Sequence, residues 1–573
     1  MNNRRFLTAL ALIASTMTGC ARRVEDRAPA IIDAAVTAMR RGDLTAADAY
    51  VKQGETLTRD QPESEWAWRF RFLEADVHLS RRESTDAAHT AEAPLPAASP
   101  ALPELRARQQ YLRARIEYSQ GRLAKALELA DAALRDAPAG TELKLEIDGF
   151  AGQLGLQLGR WTESESRLDA VISAAAASGH QYVEGMALVS QGMGKFVRNR
   201  YDEALPAFER VAASASLEGT RIHARALYNS GMCYARLGEF DRAIAIQRRA
   251  VAALENHPDG SDYELALGQL GTTYLHQNNA PEGLEYLRRA FKAASDAKVA
   301  GDASLWAGNL AKGYIELGQW DEAERFNDEA KRLATANRGA RISYTLEHSA
   351  AIAAGRGRFD DAARLYRDVL VSADAPPSVL WHAHHGLALI AVAQHQPARA
   401  APEFEAALDV IEKTRSGLLR DDYKLAYLTE LIDFYRVYVR VLDEQGNVER
   451  ALEVADSSRG RVLAESQRAS APPRMSLASI RQLAAKTQTV FLSYWLTPGG
   501  STLWVATADG LHKIALPGAK EIDALVSDHQ SALSNALADP LASPQSAGDR
   551  LYQLLVVPAA PCSLSVTVRE NST

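Results

Sequence analysis

Five polar side chains recur at near-equal spacing. Ser190, Asn229, Gln269, Asn309 and His348 are separated by 39, 40, 40 and 39 residues. Each can donate and accept hydrogen bonds, histidine in its neutral form. A ladder of this kind suits the backbone of an extended peptide; the alternative is a hydrated surface row with no ligand. Lys312 follows Asn309 by one turn, where its ammonium can meet a carboxylate. His382 and His385, three residues apart with His384 between them, can share a helix face as metal ligands do. No third ligand with suitable spacing accompanies them, so solvated or packing histidines are the simpler reading and no metal is expected. The three cysteines, Cys20, Cys233 and Cys562, do not make a disulfide framework. Cys233 stands beside Tyr234 on an apolar helix and reads as a buried, inert thiol. The chain has no P-loop, no H-E-x-x-H, no G-x-S-x-G and no EF-hand spacing, and no cofactor is expected. Lys and Arg number 65 against 72 Asp and Glu, a net charge of −7 without any long basic run, which excludes nucleic acid as a partner.

The elements that position the ladder show in the small residues. Ala126, Ser164, Ala204, Ala243, Gly283, Ala323, Ala362, Ala400 and Ala451 are spaced by 38, 40, 39, 40, 40, 39, 38 and 51. Around each runs the same phrase: a helix, a turn of the type Leu237-Gly238 or Leu317-Gly318, then a second helix opening near an Asp such as Asp241 or Asp321. Glycine accepts the left-handed conformation that ends a helix, and an Asp at the next helix start meets unpaired N–H groups. Small residues let two helices approach, and the aromatics between them (Tyr234, Phe240, Trp306, Tyr314, Trp320) fill the gap to the next pair. This pattern resembles the tetratricopeptide repeat (TPR), whose usual period is about 34 residues. A period near 40 implies longer helices. The resemblance is most specific in Ala226–Ala250 and Ala303–Ala330.

The resemblance implies a concave groove lined by the first helix of each repeat. The ladder lies four residues after the first-helix start, and peptide-clamping TPRs carry an Asn there, so Asn229 and Asn309 match best. Ile31 to Gly54 reads as a further repeat, with Gly42, Leu44 and Ala47 in the familiar places. A degenerate repeat follows from Trp66 to about Ala88, and Ser84 to Pro103, rich in Ala, Pro and Ser, reads as an inserted loop. Glu403 to Gln445 reads as two long helices, and Gly446 resumes the turn before Ala451.

The two ends differ in texture. Arg4 and Arg5 precede a short apolar run, Phe6 to Met17, too short to span a membrane. Met17-Thr18-Gly19-Cys20 then resembles a bacterial lipobox. That resemblance implies a lipidated Cys20 and a lipid-anchored protein of the bacterial cell envelope. With Ala21 rather than Asp next, it implies the periplasmic side of the outer membrane where the cell has two membranes. A simple secretory signal is the alternative. After Pro472-Pro473, β-branched and aromatic runs joined by Pro498-Gly499-Gly500 and Asp509-Gly510 predict a β-meander. Ala519 to Leu537 predicts an amphipathic helix and Asp549 to Val556 another. Ala451 to Glu465 resembles the junction between a TPR array and a CHAT domain, a caspase-like cysteine peptidase domain. FLSYWL, LWVATADGLHKIALPG and LYQLLVVP are similar to that domain's opening, over roughly Met475 to Pro558.

A CHAT peptidase carries a catalytic His and Cys after this opening, and no residue here matches either. Cys562 lacks the family's surrounding motif, and His512 lies on an early strand. The tail Ser563 to Thr573 reads as sequence running past a truncation or frameshift. The expected organisation is a signal peptide (1–19), degenerate repeats with a loop (20–103), a repeat array (104–470) and a partial CHAT domain (475–573). The fold class is mainly α: a TPR-like α-solenoid of about ten helical hairpins followed by a small α/β fragment. The expected function is a membrane-anchored scaffold binding a protein or extended peptide in its groove. The alternatives are a CHAT-type cysteine peptidase, active when its missing half is supplied, and a solenoid with no peptide ligand.

Overall fold

A computed structural model describes residues 24–96, 101–257, 261–336, 342–416, 431–457, 476–534 and 546–563. Cys20, the segment 458–475 and the tail beyond 563 lie outside the described residues. The chain divides into two packed units, Met1–Val379 and Leu380–Thr573.

Helical hairpins build both. In the first unit they are repeats 1 to 9. Repeat 1 pairs a helix over 24–41 with Leu44–Thr58, and repeat 2 pairs Glu65–Ser80 with Ser84–Glu92. Repeat 3 is Leu102–Ser119 with Leu123–Asp136, repeat 4 Glu142–Gln157 with Trp161–Ser178, and repeat 5 Gln181–Phe196 with Tyr201–Ala212. Repeat 6 is Arg221–Arg236 with Phe240–Leu254, and repeat 7 Ser261–His276 with Ala280–Asp296. Repeat 8 is Ala300–Glu316 with Trp320–Ala336, and repeat 9 Ile342–Gly355 with Phe359–Leu370.

Each hairpin turns the same way, for a reason written in its backbone. The residue after the first helix takes a left-handed φ, from 56° to 89°: a glycine in repeats 1, 3, 4, 6, 8 and 9, but Arg82 in repeat 2, Asn199 in repeat 5 and Asn278 in repeat 7. The next residue's N–H then reaches five positions back, as from Glu239 to Tyr234 and from Gln319 to Tyr314, both at 2.9 Å. This is the Schellman closure, which satisfies carbonyls the helix end leaves unpaired. The periodic small residue always falls at the fourth position of the second helix and is buried to 3% exposure or less wherever it is Ala or Ser. That position faces the first helix, where a larger side chain would hold the pair apart. The Asp residues expected at helix starts lie one residue inside the helix. Asp202 and Asp241 stand in the first turn, and the N-cap positions before them, Arg200 and Glu239, make no side-chain cap bond. Their contribution is to the helix dipole rather than to a cap.

Ser84–Glu92 is a helix, not the loop expected from its composition. Ala87 and Ala91, four apart, bury one face against Trp68, Phe72 and Leu105. Two alanines were too weak an apolar signal against Thr, Asp and His neighbours. The irregular stretch begins only after Glu92.

The first unit coils until distant repeats meet. Arg40 of repeat 1 donates to Glu142 of repeat 4 at 2.6 Å. A Cβ on Gly42, at φ +89°, would stand 3.2 Å from Cγ of Arg221 in repeat 6. Arg82 of repeat 2 pairs with Asp302 of repeat 8 at 2.7 Å and with Glu264 of repeat 7 at 3.2 Å.

The second unit holds most of repeat 10 (Pro377–Ala393 with Pro397–Ser416) and repeat 11 (Ile432–Glu444 with Val448–Ser457). Both turns keep the left-handed residue, His395 and Gly446. The predicted meander is present: β1 (Phe491–Trp495), β2 (Ser501–Ala506) and β3 (Leu511–Leu516) form an antiparallel sheet in that order. Phe491 pairs with Ala506 and Ala506 with Leu511. The central strand is buried on both faces. Leu503 and Val505 pack with Leu516 and Ala559, while Trp504 and Ala506 join Phe404, Tyr435 and Tyr438 of the repeats. Helices Leu477–Thr487, Ala519–Ser534 and Ala547–Leu555 complete the unit among the described residues. No helix of the described residues is long and apolar enough to cross a membrane.

Candidate functional site

The coil of the first unit encloses a cavity of about 1320 Å³, lined mainly by the first helices of repeats 1 to 8. Its wall mixes rings (Phe72, Tyr111, Phe150, Tyr182, Tyr228) with charges (Arg40, Arg108, Arg115, Arg221, Arg225 against Asp76, Glu142, Glu146, Asp302). Small-molecule sites usually fall at about 300–1,000 Å³. This one is larger and extends along several repeats, as a site for an extended segment does.

The guanidiniums are held in place. Behind the wall, Asp262 is 1% exposed and accepts from Arg221 Nε at 2.6 Å and from Arg225 at 2.7 and 3.0 Å. Burial pushes the Asp262 carboxyl up, but Arg225 and Arg221 outweigh it and hold the group well below the usual carboxylate range. Arg115 pairs with Asp76, and its guanidinium lies 5.6 Å from the Tyr111 ring centre. Glu146 has no comparable partner. Burial, then the neighbouring charge of Glu142, raises its carboxyl to about 7 against the pull of Arg108 and Arg40. Burial likewise pushes the Tyr111, Tyr182 and Tyr228 phenols up.

None of the six groove residues expected from the sequence lines this cavity. Asn229 and His348 are buried, 4% and 5% exposed, which corrects the expectation that they face a groove. Burial first, then Lys312 and Lys331, lowers the His348 imidazole to about 3. Ser190 donates to the Met186 carbonyl of its own helix at 3.0 Å, and Asn309 to Thr272 at 2.8 Å. Gln269 is half-buried, and Lys312 lies 3.9 Å from Glu316. The physical reason is helix length. The first helices begin at Gln181, Arg221, Ser261, Ala300 and Ile342, so the ladder falls mid-helix, in reach of the packed neighbours. The cavity row is one turn earlier: Met186, Arg225 and Leu265 precede Ser190, Asn229 and Gln269 by four residues each. The signal that marked it was charge and aromaticity in the opening turns (Tyr182, Arg221, Arg225) on helices otherwise rich in small residues.

Other candidates read as structural. His385 packs on the Phe434 ring at 5.4 Å, and burial lowers it to about 4, while His384 meets Glu403 at 2.6 Å. His78, Glu83 and Asp86 bring one ligand atom each within 4.8 Å of one another, but His78 and Glu83 already bond each other at 2.7 Å. Cys233 is buried, and burial pushes its thiol up. Cys562 packs against the apolar cluster of Leu503, Val505, Leu516 and Ala559, while His512 is exposed on β3.

Residues 72–141 and 190–261 match the model of the tetratricopeptide repeat family. The described array is a TPR-like α-solenoid followed by a small three-stranded sheet. A comparison with curated proteins finds no match. Among solved structures the chain is similar to a Rap protein complexed with competence and sporulation factor, at 15% identity and TM-score 0.46, covering 63% of this chain and 99% of that one. It is also similar to the apo form of the quorum sensor NprR from B. thuringiensis, at 13% identity and TM-score 0.41, covering 61% and 99%. A third is a tetratricopeptide repeat protein from Parabacteroides merdae ATCC 43184, at 17% identity and TM-score 0.29, covering 57% and 99%. These are likenesses of fold.

Proposed function

We propose that the chain is an interaction scaffold whose first unit binds an extended peptide segment, free or part of a protein partner, in the cavity enclosed by repeats 1 to 8. The observation that carries this reading is the cavity itself. About 1320 Å³ of space follows successive first helices, with tyrosines and arginines held by partners behind them. Rings give contact area at low entropic cost, and fixed guanidiniums give direction. The reading is of binding rather than catalysis, because the surroundings of Cys562 are apolar and supply no base to activate a thiol. The CHAT-like segment then acts as a packed appendage, and Met17 to Cys20 supports lipid attachment at Cys20 on a bacterial envelope membrane.

Selection from a displayed random peptide library on the full chain tests the binding. Selected peptides are expected to lose affinity on Tyr182→Ala, which removes a ring from the cavity wall, and to keep it on Asn309→Ala. The reverse pattern would return the site to the polar ladder, and no enrichment at all would sink peptide binding. Membrane fractionation of Cys20→Ser tests the anchor. Retention of the variant on membranes would refute it.

A further inference from the structure

One corner of the cavity is built more tightly than the rest, from three repeats far apart in sequence. Arg40 of repeat 1 lays its guanidinium over the Tyr182 ring of repeat 5 at 4.7 Å. Arg221 and Arg225 of repeat 6, four residues apart on one helix face, line the same cavity. The Tyr182 phenol feels Arg221, Arg225, Asp262 and Arg40 together, so these groups share one neighbourhood.

The two arginines of repeat 6 divide a single carboxylate. Arg221 Nε takes Oδ2 of Asp262 at 2.6 Å, and Arg225 places Nε and a terminal nitrogen on Oδ1 at 3.0 and 2.7 Å. Each guanidinium has five N–H donors. Asp262 uses one of Arg221 and two of Arg225, so donors remain on both. The side chains are 15% and 38% exposed, while Asp262 is 1% exposed, so the acid lies behind and the bases in front. Arg40 is steadied in the same way by Glu142 at 2.6 Å, with Glu146 at 3.9 Å. Setting Glu146 aside as largely neutral, three guanidiniums face two carboxylates, leaving one uncompensated positive charge in an enclosed wall of a chain whose net charge is −7. A preorganised donor cluster with one excess charge, shielded from water, favours one planar monoanion.

We propose that Arg40, Arg221 and Arg225, gathered around Tyr182 and held by Glu142 and Asp262, anchor a single carboxylate of the bound segment, from an acidic side chain or a free C-terminus. The proposal rests on the peptide-binding reading above. It places the direction-setting contact in repeats 1, 5 and 6, away from the Asn ladder.

The test uses the full chain and calorimetric titration with N-acetylated heptapeptides Ala-Tyr-Ala-X-Ala-Tyr-Ala. X is Glu, Gln, Lys or phosphoserine with an amidated C-terminus, and the Gln peptide is also made with a free C-terminus. The Glu peptide, the free-acid peptide or both are expected to bind at least tenfold tighter than the Gln amide and the Lys amide. Which of the two does so identifies the source of the carboxylate. Arg225→Gln and, separately, Arg40→Gln are expected to cut that preference below threefold while the Gln amide binds as before; circular dichroism verifies the fold of each. Equal binding of all peptides, a preference that survives both variants, or a tenfold gain for phosphoserine over Glu overturns the single-carboxylate site. A second measurement separates this from the peptide reading: N-acetyltyrosine should raise Tm where its amide does not, and Arg225→Gln should abolish the difference. If no heptapeptide binds but this difference holds, the anion site stands and the peptide reading falls. If N-acetyltyrosine and its amide act alike and no peptide binds, both fall.

Discussion

Repeats 3 and 11 share one turn and one buried alanine, yet they sit in different kinds of core. In repeat 3 the buried face of Ala126, Leu127 and Ala130 meets only the next hairpin, through Ile147, Phe150 and Leu154. In repeat 11 Ala451, Leu452 and Ala455 belong to a cluster that also takes Phe404, Tyr435 and Tyr438 and reaches into the sheet through Trp495, Trp504 and Ala506. The first unit is thus a chain of small local cores drawn into a coil by a few charged contacts between distant repeats. The second is one aromatic core shared by hairpins and strands. The same repeat unit therefore serves as a spacer around a cavity in one place and as a platform for a sheet in the other. What decides is the residue that faces outward from the pair.

The sharpest way to break this comparison is to remove a ring from the shared core. Phe404, stacked on Tyr438 at 4.6 Å, should cost about 3–5 kcal/mol as Phe404→Ala. Hydrogen exchange should then speed up in β2 as well as in repeat 10. In the first unit Ile147→Ala should cost about 2–5 kcal/mol, with faster exchange confined to repeats 3 and 4. Unchanged exchange in β2 would refute the shared core.

A smaller effect comes from the turns. Gly446→Ala places a side chain at φ +74° with open space around it and should cost about 1–2 kcal/mol. Gly42→Ala carries the same backbone strain and also presses on Arg221, so its denaturation midpoint should fall further. Equal losses at the two turns would mean that the contact between repeats 1 and 6 adds nothing.

Acidity should act on the two units in opposite directions. Glu146 and Glu264 titrate near 7 when folded against 4.5 as the ordinary value, both raised chiefly by burial. The folded first unit therefore binds more protons than the unfolded chain between pH 4.5 and 7, and its stability falls as pH rises through that window. His385 titrates near 4 when folded against 6.5. The folded second unit binds fewer protons there, so its stability rises from pH 4 to 6.5. Urea midpoints followed by unit-specific probes should slope oppositely, with Glu146→Gln flattening the first and His385→Phe the second. Parallel slopes would contradict the assignment.

The least change is expected from Lys513→Ala. It removes the 2.6 Å bond from β3 to Asp443 of repeat 11, a half-exposed pair worth about 0.2–1 kcal/mol. A loss above 2 kcal/mol by denaturant titration would show that the sheet depends on charge more than on Trp504.

The repeats were legible because the small residue and the turn glycine are local rules, repeated nearly every 40 residues. The meander was legible for the same reason, with alternation and turn pairs lying side by side in the chain. The helix Ser84–Glu92 was not, since only Ala87 and Ala91 carry its apolar face. The cavity was hidden for a different reason. Its wall depends on Arg40 meeting Glu142, 102 residues on, and on three repeats converging at Tyr182. Side-chain spacing within one repeat encodes the face of a helix but not which other repeat it will meet. The polar ladder therefore fell on mid-helix positions one turn beyond the cavity row.

The tie between Arg82 and Asp302 also sets a clock on synthesis. A simple helical array can fold hairpin by hairpin as it leaves the ribosome. Here the second repeat must wait for a residue 220 positions later, at least about ten seconds at ordinary elongation rates. Until then, the inner walls of the first repeats, with Phe72, Tyr111 and Phe150, face solvent as an open half-ring. Nascent chains stalled before residue 302 should therefore be the form that holding chaperones capture, and release from them should coincide with closure of the ring.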